Sequence, residues 1–179
     1  MLARIKGKIK VPVVYNTGGY DRADSLKLLD GLVDVYLPDV KYYSPEISAR
    51  YSGAADYFEY AAEALSEMHR QVGYGELSPD GGMRRGIIVR HLVLPSHRRD
   101  SMRIFDELAK LYEPSRLIVS IMRQYFPAGR ASEFHEINRR VTTLEYESVV
   151  CYAEKLGFTR GFIQGKDSAD STFVPDFDF

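Results

Sequence analysis

The stretch that decides the fold is residues 11–42, which read VPVVYNTGGYDRADSLKLLDGLVDVYLPDVKY. Its first run, Val11–Tyr15, is apolar and stops at Asn16-Thr17-Gly18-Gly19, which predicts a strand ending in a sharp turn. Asp24–Asp30 begins with an N-cap residue and is followed by glycine, the pattern of a short helix. Val33–Tyr42 is apolar again. Strand, helix and strand in this order predict two parallel strands with a crossover helix.

The same alternation continues along the chain. The patterns predict, in order, a helix over Ala54–Val72, a long glycine-rich loop over 73–86, a strand over Gly86–Pro95, a helix over Arg99–Tyr112, a strand over Leu117–Tyr125, a helix begun by the capping box Thr142 and Glu145, and a fifth strand over Arg160–Gln164. An open doubly wound sheet also fits, but Gly18-Gly19 is not a dinucleotide-type G-x-G-x-x-G turn. We therefore predict one α/β domain over residues 1–179, a partial (β/α) barrel of about five parallel strands with crossover helices.

Composition excludes several classes of protein. Hydrophobic residues make up 45% of the chain, enough for a core, and 24 Lys and Arg balance 25 Asp and Glu to a formal charge of -1. This balance argues against nucleic-acid and membrane partners. The apolar runs are too short for a spanning helix, and the first eight residues do not have the pattern of a secretory signal. A single cysteine, Cys151, excludes an internal disulfide and any metal site built from several thiolates. We expect a cytoplasmic protein.

Polar side chains gather where the predicted strands end, the edge at which parallel α/β proteins bind ligands. The candidates are Asn16 and Thr17 after the first strand, Asp39 and Lys41 in the second, Arg90 in the third and Gln124 in the fourth. Asp39 and Lys41 have an alternative role, an internal ion pair that satisfies only itself. Arg90 lies among apolar residues, so it needs an anion, either Asp39 or a ligand carboxylate or phosphate.

The histidines are assigned mainly structural roles. Arg90 and His91 point to opposite faces of their strand, and we expect Arg90 to face the site and His91 to be a buried structural residue. His69 and His135 are expected at the surface. A metal site from His91, His97 and Asp39 is not favoured, because no close-spaced histidine motif supports it. We therefore assign no metal ligands and no catalytic residue.

Five ordered blocks together resemble the later part of radical S-adenosylmethionine proteins, and more narrowly the pyruvate formate-lyase activating enzyme group. They are PVVYNTGGY at 12–20, DGLVDVYLPDVKY at 30–42, EMHRQVG at 67–73, RHLVLP at 90–95 and SIMRQY at 120–125. The resemblance, over about residues 10–165, implies a partial barrel in which a 4Fe-4S cluster and S-adenosylmethionine generate a radical that abstracts hydrogen from a substrate. In the named group, that substrate is a glycine of a partner protein, a glycyl radical enzyme.

The resemblance also implies roles for individual residues. Asn16 and Thr17 match the turn near the ligand's carboxylate, with Asn where the named group has an acid. Asp39 and Lys41 match the Asp-x-Lys that approaches the methionine moiety, and Arg90 matches a strand arginine that faces the site. Lys41 and Arg90 suit a carboxylate, and Asp39 suits an ammonium.

The family's three-cysteine cluster loop precedes the part that this chain resembles, and Cys151 falls in a predicted helix. We therefore expect the carboxyl-terminal portion of a radical S-adenosylmethionine barrel, inactive alone, with an open sheet edge that favours pairing with a second copy. Two alternatives remain. One is a stand-alone barrel lyase or aldolase that uses Lys41 as its amine, and the other is a non-catalytic module that binds a small carboxylate through Arg90.

Overall fold

The computed structural model describes residues 4, 6–78 and 82–163 as an α/β unit. Its strands are β1 (Val14–Thr17), β2 (Val35–Pro38), β3 (Glu76–Leu77), β4 (Met83–Leu92), β5 (Ile118–Met122) and β6 (Gly161–Ile163). Its α-helices are α1 (Ala23–Lys27), α2 (Pro45–Ser52), α3 (Tyr57–Val72), α4 (Arg98–Leu111) and α5 (Thr143–Lys155), and short 3₁₀ turns lie at Lys6–Lys8 and Gly129–Glu133. Gln164 and the residues after it lie outside the described residues.

The sheet confirms the predicted architecture. Five parallel strands lie in the order β1-β2-β4-β5-β6, which is also their order along the chain, and β3 adds an antiparallel pair on β4. A doubly wound sheet reverses its strand order at a switch point, whereas a sheet that runs in one direction places its crossover helices on one face. The order is therefore that of a partial barrel.

The core confirms that the helices cover one face of the sheet. Alternate strand residues, Tyr36, Ile87, Val89, Val119 and Ile121, pack in one apolar cluster with helix residues. The helix residues of this cluster come from α1, α3, α4 and α5, and include Leu26, Leu65, Met68, Phe105, Leu108 and Val149. Since strand side chains alternate between faces, residues such as Asn16, Asp39 and Arg90 belong to the opposite face.

The predicted long loop over 73–86 is wrong, because part of it is extended and paired. Glu76 and Leu77 pair with Arg85 and Met83 of β4. Glycine here allows a close approach: a Cβ on Gly86, whose φ is +119°, would lie 2.5 Å from the Tyr74 carbonyl oxygen. Gly75 and Gly86 therefore mark close packing in this part of the chain, where a long loop was predicted.

The sequence prediction also missed α2 and extended several strands beyond their true ends. Strand β2 ends at Pro38, because proline has no N–H to donate to the ladder. Its ladder to β4 covers Val35 and Tyr36 and resumes as a single bridge between Asp39 and Arg90. The interruption at Pro38 lies directly beside the candidate site.

Candidate functional site

Asp39 and Arg90 form the centre of a polar cluster at the carboxyl edge of the sheet. The Arg90 Nε–H donates to Asp39 Oδ1 at 2.8 Å, and Arg90 Nη2 lies 2.6 Å from the same oxygen. The bridge between the two backbones sets this distance, and the Val40 N–H donates to the Arg90 carbonyl at 2.8 Å. Of the two anions expected for Arg90, the structure gives it Asp39.

Asn16 brings the first strand into the same cluster. Arg90 Nη2 donates to Asn16 Oδ1 at 2.7 Å, so the guanidinium joins residues from β1, β4 and the segment after β2. The Arg90 side chain is 25% exposed and is therefore accessible from solvent. Its Nε and Nη2 groups are already engaged, so it holds Asp39 and Asn16 in place and is less open to a ligand than the sequence suggested.

Lys41 lies on the other side of Asp39. Its Nζ is 3.7 Å from Asp39 Oδ2, and its side chain is 40% exposed. A Cβ added to Gly18 would lie 3.6 Å from the same Nζ, so the ammonium stands over the turn after β1. Asp39 thus directs Oδ1 to Arg90 and Oδ2 towards Lys41. The Lys41 ammonium is therefore well exposed and beyond hydrogen-bond distance of Oδ2, whereas the Asp39 side chain is only 16% exposed.

Two of the predicted site residues lie apart from this cluster. Thr17 is on the opposite face of β1 from Asn16, and its hydroxyl donates to Asp21 Oδ2 and accepts from the Gly19 N–H. Gln124 is exposed beyond the end of β5, with its Nε2 3.8 Å from Met122 Sδ. The structure therefore brings together four of the six candidates: Asn16, Asp39, Lys41 and Arg90.

Sequence analysis missed Tyr57, which fixes the backbone of the site. Tyr57 begins α3 and is buried, and its Oη lies 2.9 Å from each of the carbonyl oxygens of Gly18 and Asp39. The same oxygen accepts from the Lys41 N–H at 3.0 Å, and burial raises the pKa of the phenol well above its usual value. One hydroxyl therefore ties the turn after β1 to the segment that carries Asp39 and Lys41. Helical spacing alone identified Tyr57 only as a core residue.

His91 has the structural role expected of it. Its ring nitrogens lie 2.6 Å from the Val40 carbonyl oxygen and 2.8 Å from Ser101 Oγ, and burial lowers its pKa. The side chain supports the backbone behind the cluster from the helix-covered face. The expectation that His69 is a surface residue is wrong: the side chain is half-buried, and its pKa is lowered chiefly by burial. Its buried Nε2 has no hydrogen-bond partner among the residues that the structure describes.

A second polar group lies nearby, at the start of α4. Tyr51 Oη donates to Glu136 Oε1 at 2.8 Å and lies 2.7 Å from His97 Nε2. Arg50 Nε also donates to Glu136 Oε1. A hydrogen bond from the backbone of Glu136 itself, together with those from Arg50 and Tyr51, lowers the pKa of this carboxyl to about 2. Within residues 4, 6–78 and 82–163, no group of three or more His, Cys, Asp or Glu side chains is placed to hold a metal ion.

None of the helices in the described part of the chain has both the length and the apolar composition that a membrane span requires. No family model matches the chain. Comparison with curated proteins finds that it is 34% identical over 146 residues to an uncharacterized protein, MJ0674, of Methanocaldococcus jannaschii. The match covers 81% of this chain and 38% of that relative, so the chain spans well under half the length of the protein it resembles.

Proposed function

We propose that the chain supplies the amino-acid end of an S-adenosylmethionine site in a radical S-adenosylmethionine protein similar to the pyruvate formate-lyase activating enzymes. The observation that supports the proposal is that the two carboxylate oxygens of Asp39 face different partners. Oδ1 is held by Arg90, and Oδ2 faces the exposed Lys41 ammonium. A carboxylate beside an ammonium at the carboxyl edge of a parallel sheet offers both charges that a zwitterionic amino acid requires.

Each charge of the proposed ligand would have a partner in the cluster. The ammonium group of the methionine moiety would pair with Asp39 Oδ2, and its carboxylate with Lys41 Nζ. Arg90 and Asn16 would act as positioning residues, because the Arg90 hydrogen bonds fix the rotation of the Asp39 carboxylate. This differs from the expectation that Arg90 itself binds the ligand carboxylate.

The iron-sulfur part of the proposed activity does not fit this chain alone. Three thiolates are needed in the family's cluster loop, and the sequence has one cysteine, Cys151, which is exposed in α5. A 4Fe-4S cluster would therefore have to be held by other polypeptide. We propose that this chain binds S-adenosylmethionine without reacting with it. A protein substrate such as a glycyl radical enzyme, and a cytoplasmic location, are proposed for the assembly that also holds the cluster.

The proposal is tested by calorimetric titration with S-adenosylmethionine and with methionine. Asp39→Asn and Lys41→Met should each weaken binding by about tenfold or more, because each removes one charged partner of the zwitterion. Lys110→Met is the matched control, since Lys110 is an exposed lysine on α4 that pairs with Glu107 outside the cluster. A folded wild-type chain that binds neither compound would refute the proposal, as would equal affinity for a simple carboxylate without an amino group.

Reductive trapping tests the lyase or aldolase alternative. A Schiff-base enzyme forms a covalent imine between Lys41 Nζ and a carbonyl substrate, and borohydride reduces it to a stable amine. We expect no substrate-dependent adduct at Lys41 in a panel of small aldehydes and ketones beyond the level seen at Lys110. A specific adduct at Lys41 would favour the alternative.

We also propose that the chain pairs with a second copy through the free edge of β1. The Val13 and Thr17 carbonyls accept hydrogen bonds from the β2 side, so the backbone groups of Val14 point to the open side. Val14 is also exposed. Light scattering should therefore show a dimer, and Val14→Pro should dissociate it by removing an outward donor. Monomer alone at high concentration would contradict this.

A further inference from the structure

An aromatic pocket lies at the carboxyl end of the sheet, apart from the Asp39, Lys41 and Arg90 cluster. It has a volume of about 200 Å³. Tyr42, Leu94 and Tyr125 reach it from the segments that follow β2, β4 and β5, and Tyr51 reaches it from α2. The far wall is formed by residues of the 128–137 segment, including Phe134. Ligands of α/β proteins bind at this end of the sheet, and mainly apolar pockets with a few polar groups are typical sites.

The polar ends of the three lining tyrosines are already satisfied. Tyr42 Oη lies 3.0 Å from Ser52 Oγ, and Tyr125 Oη donates to the Ile137 carbonyl at 3.0 Å. Tyr51 Oη is held between His97 and Glu136. Because these hydroxyls have partners, the aromatic rings and methyl groups of the lining are free to make apolar contacts with an occupant, and they share the pocket surface about equally with polar groups. The Tyr51 and Phe134 rings meet edge to face, with centroids 5.1 Å apart, so the wall is rigidly packed.

The size of the pocket fits a single aromatic ring with a short substituent. An apolar cavity of about 150 Å³ in another protein accommodates benzene, so about 200 Å³ leaves room for a ring and one or two further atoms. A ring placed here would find edge-to-face partners in the tyrosine and phenylalanine side chains.

Hydrogen-bond donors at the pocket's rim are available to a carboxylate. Arg130 lines the pocket and its side chain is 81% exposed. It pairs with Glu133, but the guanidinium presents five N–H donors and this pairing engages Nε and Nη2. The Arg50 guanidinium lies 4.9 Å from the Phe134 ring centroid, behind the same wall, and pairs with Glu136. The two carboxylates balance the charges of the two arginines, so a ligand carboxylate would be held by the Arg130 N–H groups that Glu133 leaves unused.

We propose that this pocket binds a small aryl carboxylate, with its ring between the Tyr51, Tyr125 and Phe134 side chains and its carboxylate at Arg130. The site shares no residue with the proposed S-adenosylmethionine site, so the two proposals stand or fall separately. Its ligand class is a compound with one aromatic ring and a carboxyl group one or two bonds away, of which phenylacetate is the simplest probe.

The test is an NMR titration of the full chain with phenylacetate, following the amide signals of the 128–137 segment. Wild type should bind with a Kd of about 1 mM or tighter, and phenethylamine and acetate should bind at least about tenfold more weakly. Arg130→Ala should weaken phenylacetate binding at least about fivefold, and Glu133→Gln should tighten it, because a competing carboxylate is removed. Ala128→Trp, at an exposed lining position, should abolish binding by filling the pocket.

Arg140→Ala is the matched control, because Arg140 is an exposed arginine of the same region that does not line the pocket. It should leave phenylacetate affinity unchanged. The proposal is overturned if folded wild type shows no saturable shifts, if phenethylamine binds as tightly as phenylacetate, or if Arg130→Ala and Arg140→Ala behave alike. A phenylalanine-containing peptide that binds more tightly than phenylacetate would replace the small acid with a protein partner and would also overturn it.

Discussion

Arg90 and Asp39 face each other at the point where two neighbouring strands meet again after the ladder is interrupted at Pro38. Arg90 places two nitrogens within 2.8 Å of one carboxylate oxygen, and both side chains are partly shielded from water. Since Asn16 accepts from the same guanidinium, the pair also connects β1 to the site. At this interruption, hydrogen bonds between side chains replace those of the backbone ladder.

A double-mutant cycle with Asp39→Asn and Arg90→Met tests this coupling. Because hydrogen bonds to charged groups in partly buried settings are worth more than exposed pairs, we expect a coupling free energy of about 1–2 kcal/mol in urea unfolding. The same cycle on the exposed Lys110 and Glu107 pair should give a clearly smaller value. Equal coupling in the two cycles would show that the Asp39–Arg90 contact contributes no more than a surface pair.

Tyr57→Phe tests whether one hydroxyl holds the site together. Phenylalanine keeps the ring contacts but leaves the Lys41 N–H and the carbonyl oxygens of Gly18 and Asp39 without this partner. We expect a loss of about 1–3 kcal/mol in the free energy of unfolding, and a lower affinity for methionine. Tyr42→Phe is the control, because Tyr42 lies in the same aromatic cluster and its hydroxyl pairs with Ser52, away from the Asp39 and Lys41 backbone. An unchanged methionine affinity in a folded Tyr57→Phe chain would contradict the positioning role.

The order of elements could be predicted from the sequence because it depends on local patterns. Period-2 and helical spacing identified the five parallel strands and the long helices, and the capping box was confirmed, with the Glu145 N–H donating to Thr142 Oγ1 at 3.2 Å. The missed helix α2 also has local signals: Pro45 at its first turn and Gly53 at its C-cap with φ +68°. Those signals were present in the sequence but are weak beside the longer helix that follows.

The composition of the site was only partly predictable, because it depends on contacts between distant residues. Their positions near the ends of neighbouring strands placed Asp39 and Arg90 at the same edge of the sheet. The sequence did not show that the Arg90 guanidinium would be hydrogen-bonded to both Asp39 and Asn16. Thr17 was assigned to the site because it follows Asn16, although adjacent residues of a strand face opposite sides of the sheet. The role of Tyr57 depends on where α3 begins relative to two turns, which no local pattern contains.

Gly19→Ala tests how closely the turn after β1 packs against the site. Gly19 and Gly31 both have positive φ, +80° and +74°, so alanine is strained at either position. Their surroundings differ: a Cβ on Gly19 would lie 2.0 Å from the Asp39 carbonyl oxygen, whereas one on Gly31 would meet no atom of the described part of the chain within 4 Å. We expect Gly31→Ala to cost about 1 kcal/mol and Gly19→Ala about 3 kcal/mol or more in thermal or urea unfolding. Similar costs would mean that the turn moves away from Asp39 freely.

The shielding of three histidines from water predicts that the chain loses stability between pH 7 and pH 5. Burial lowers the pKa values of His69, His91 and His97 below 6.5, so the unfolded state binds more protons than the folded state as the pH falls through that value. Stability therefore falls with pH, by up to about 1.4 kcal/mol per pH unit for a histidine that stays neutral when folded. Glu67 and Glu136 do not add to this change between pH 7 and pH 5. Their pKa values are lowered to about 2, so their contribution to the free energy of unfolding is lost only below about pH 4.5.

Urea midpoints at pH 7.5, 6.5, 5.5 and 5.0 measure this slope. His69→Gln should flatten it, because that ring is half-buried and its Nε2 lacks a partner when neutral. His135→Gln should leave the slope unchanged, because His135 is exposed. Stability that stays constant or rises towards pH 5 would show that the three rings gain a proton in the folded state as readily as in the unfolded chain, and would contradict the prediction.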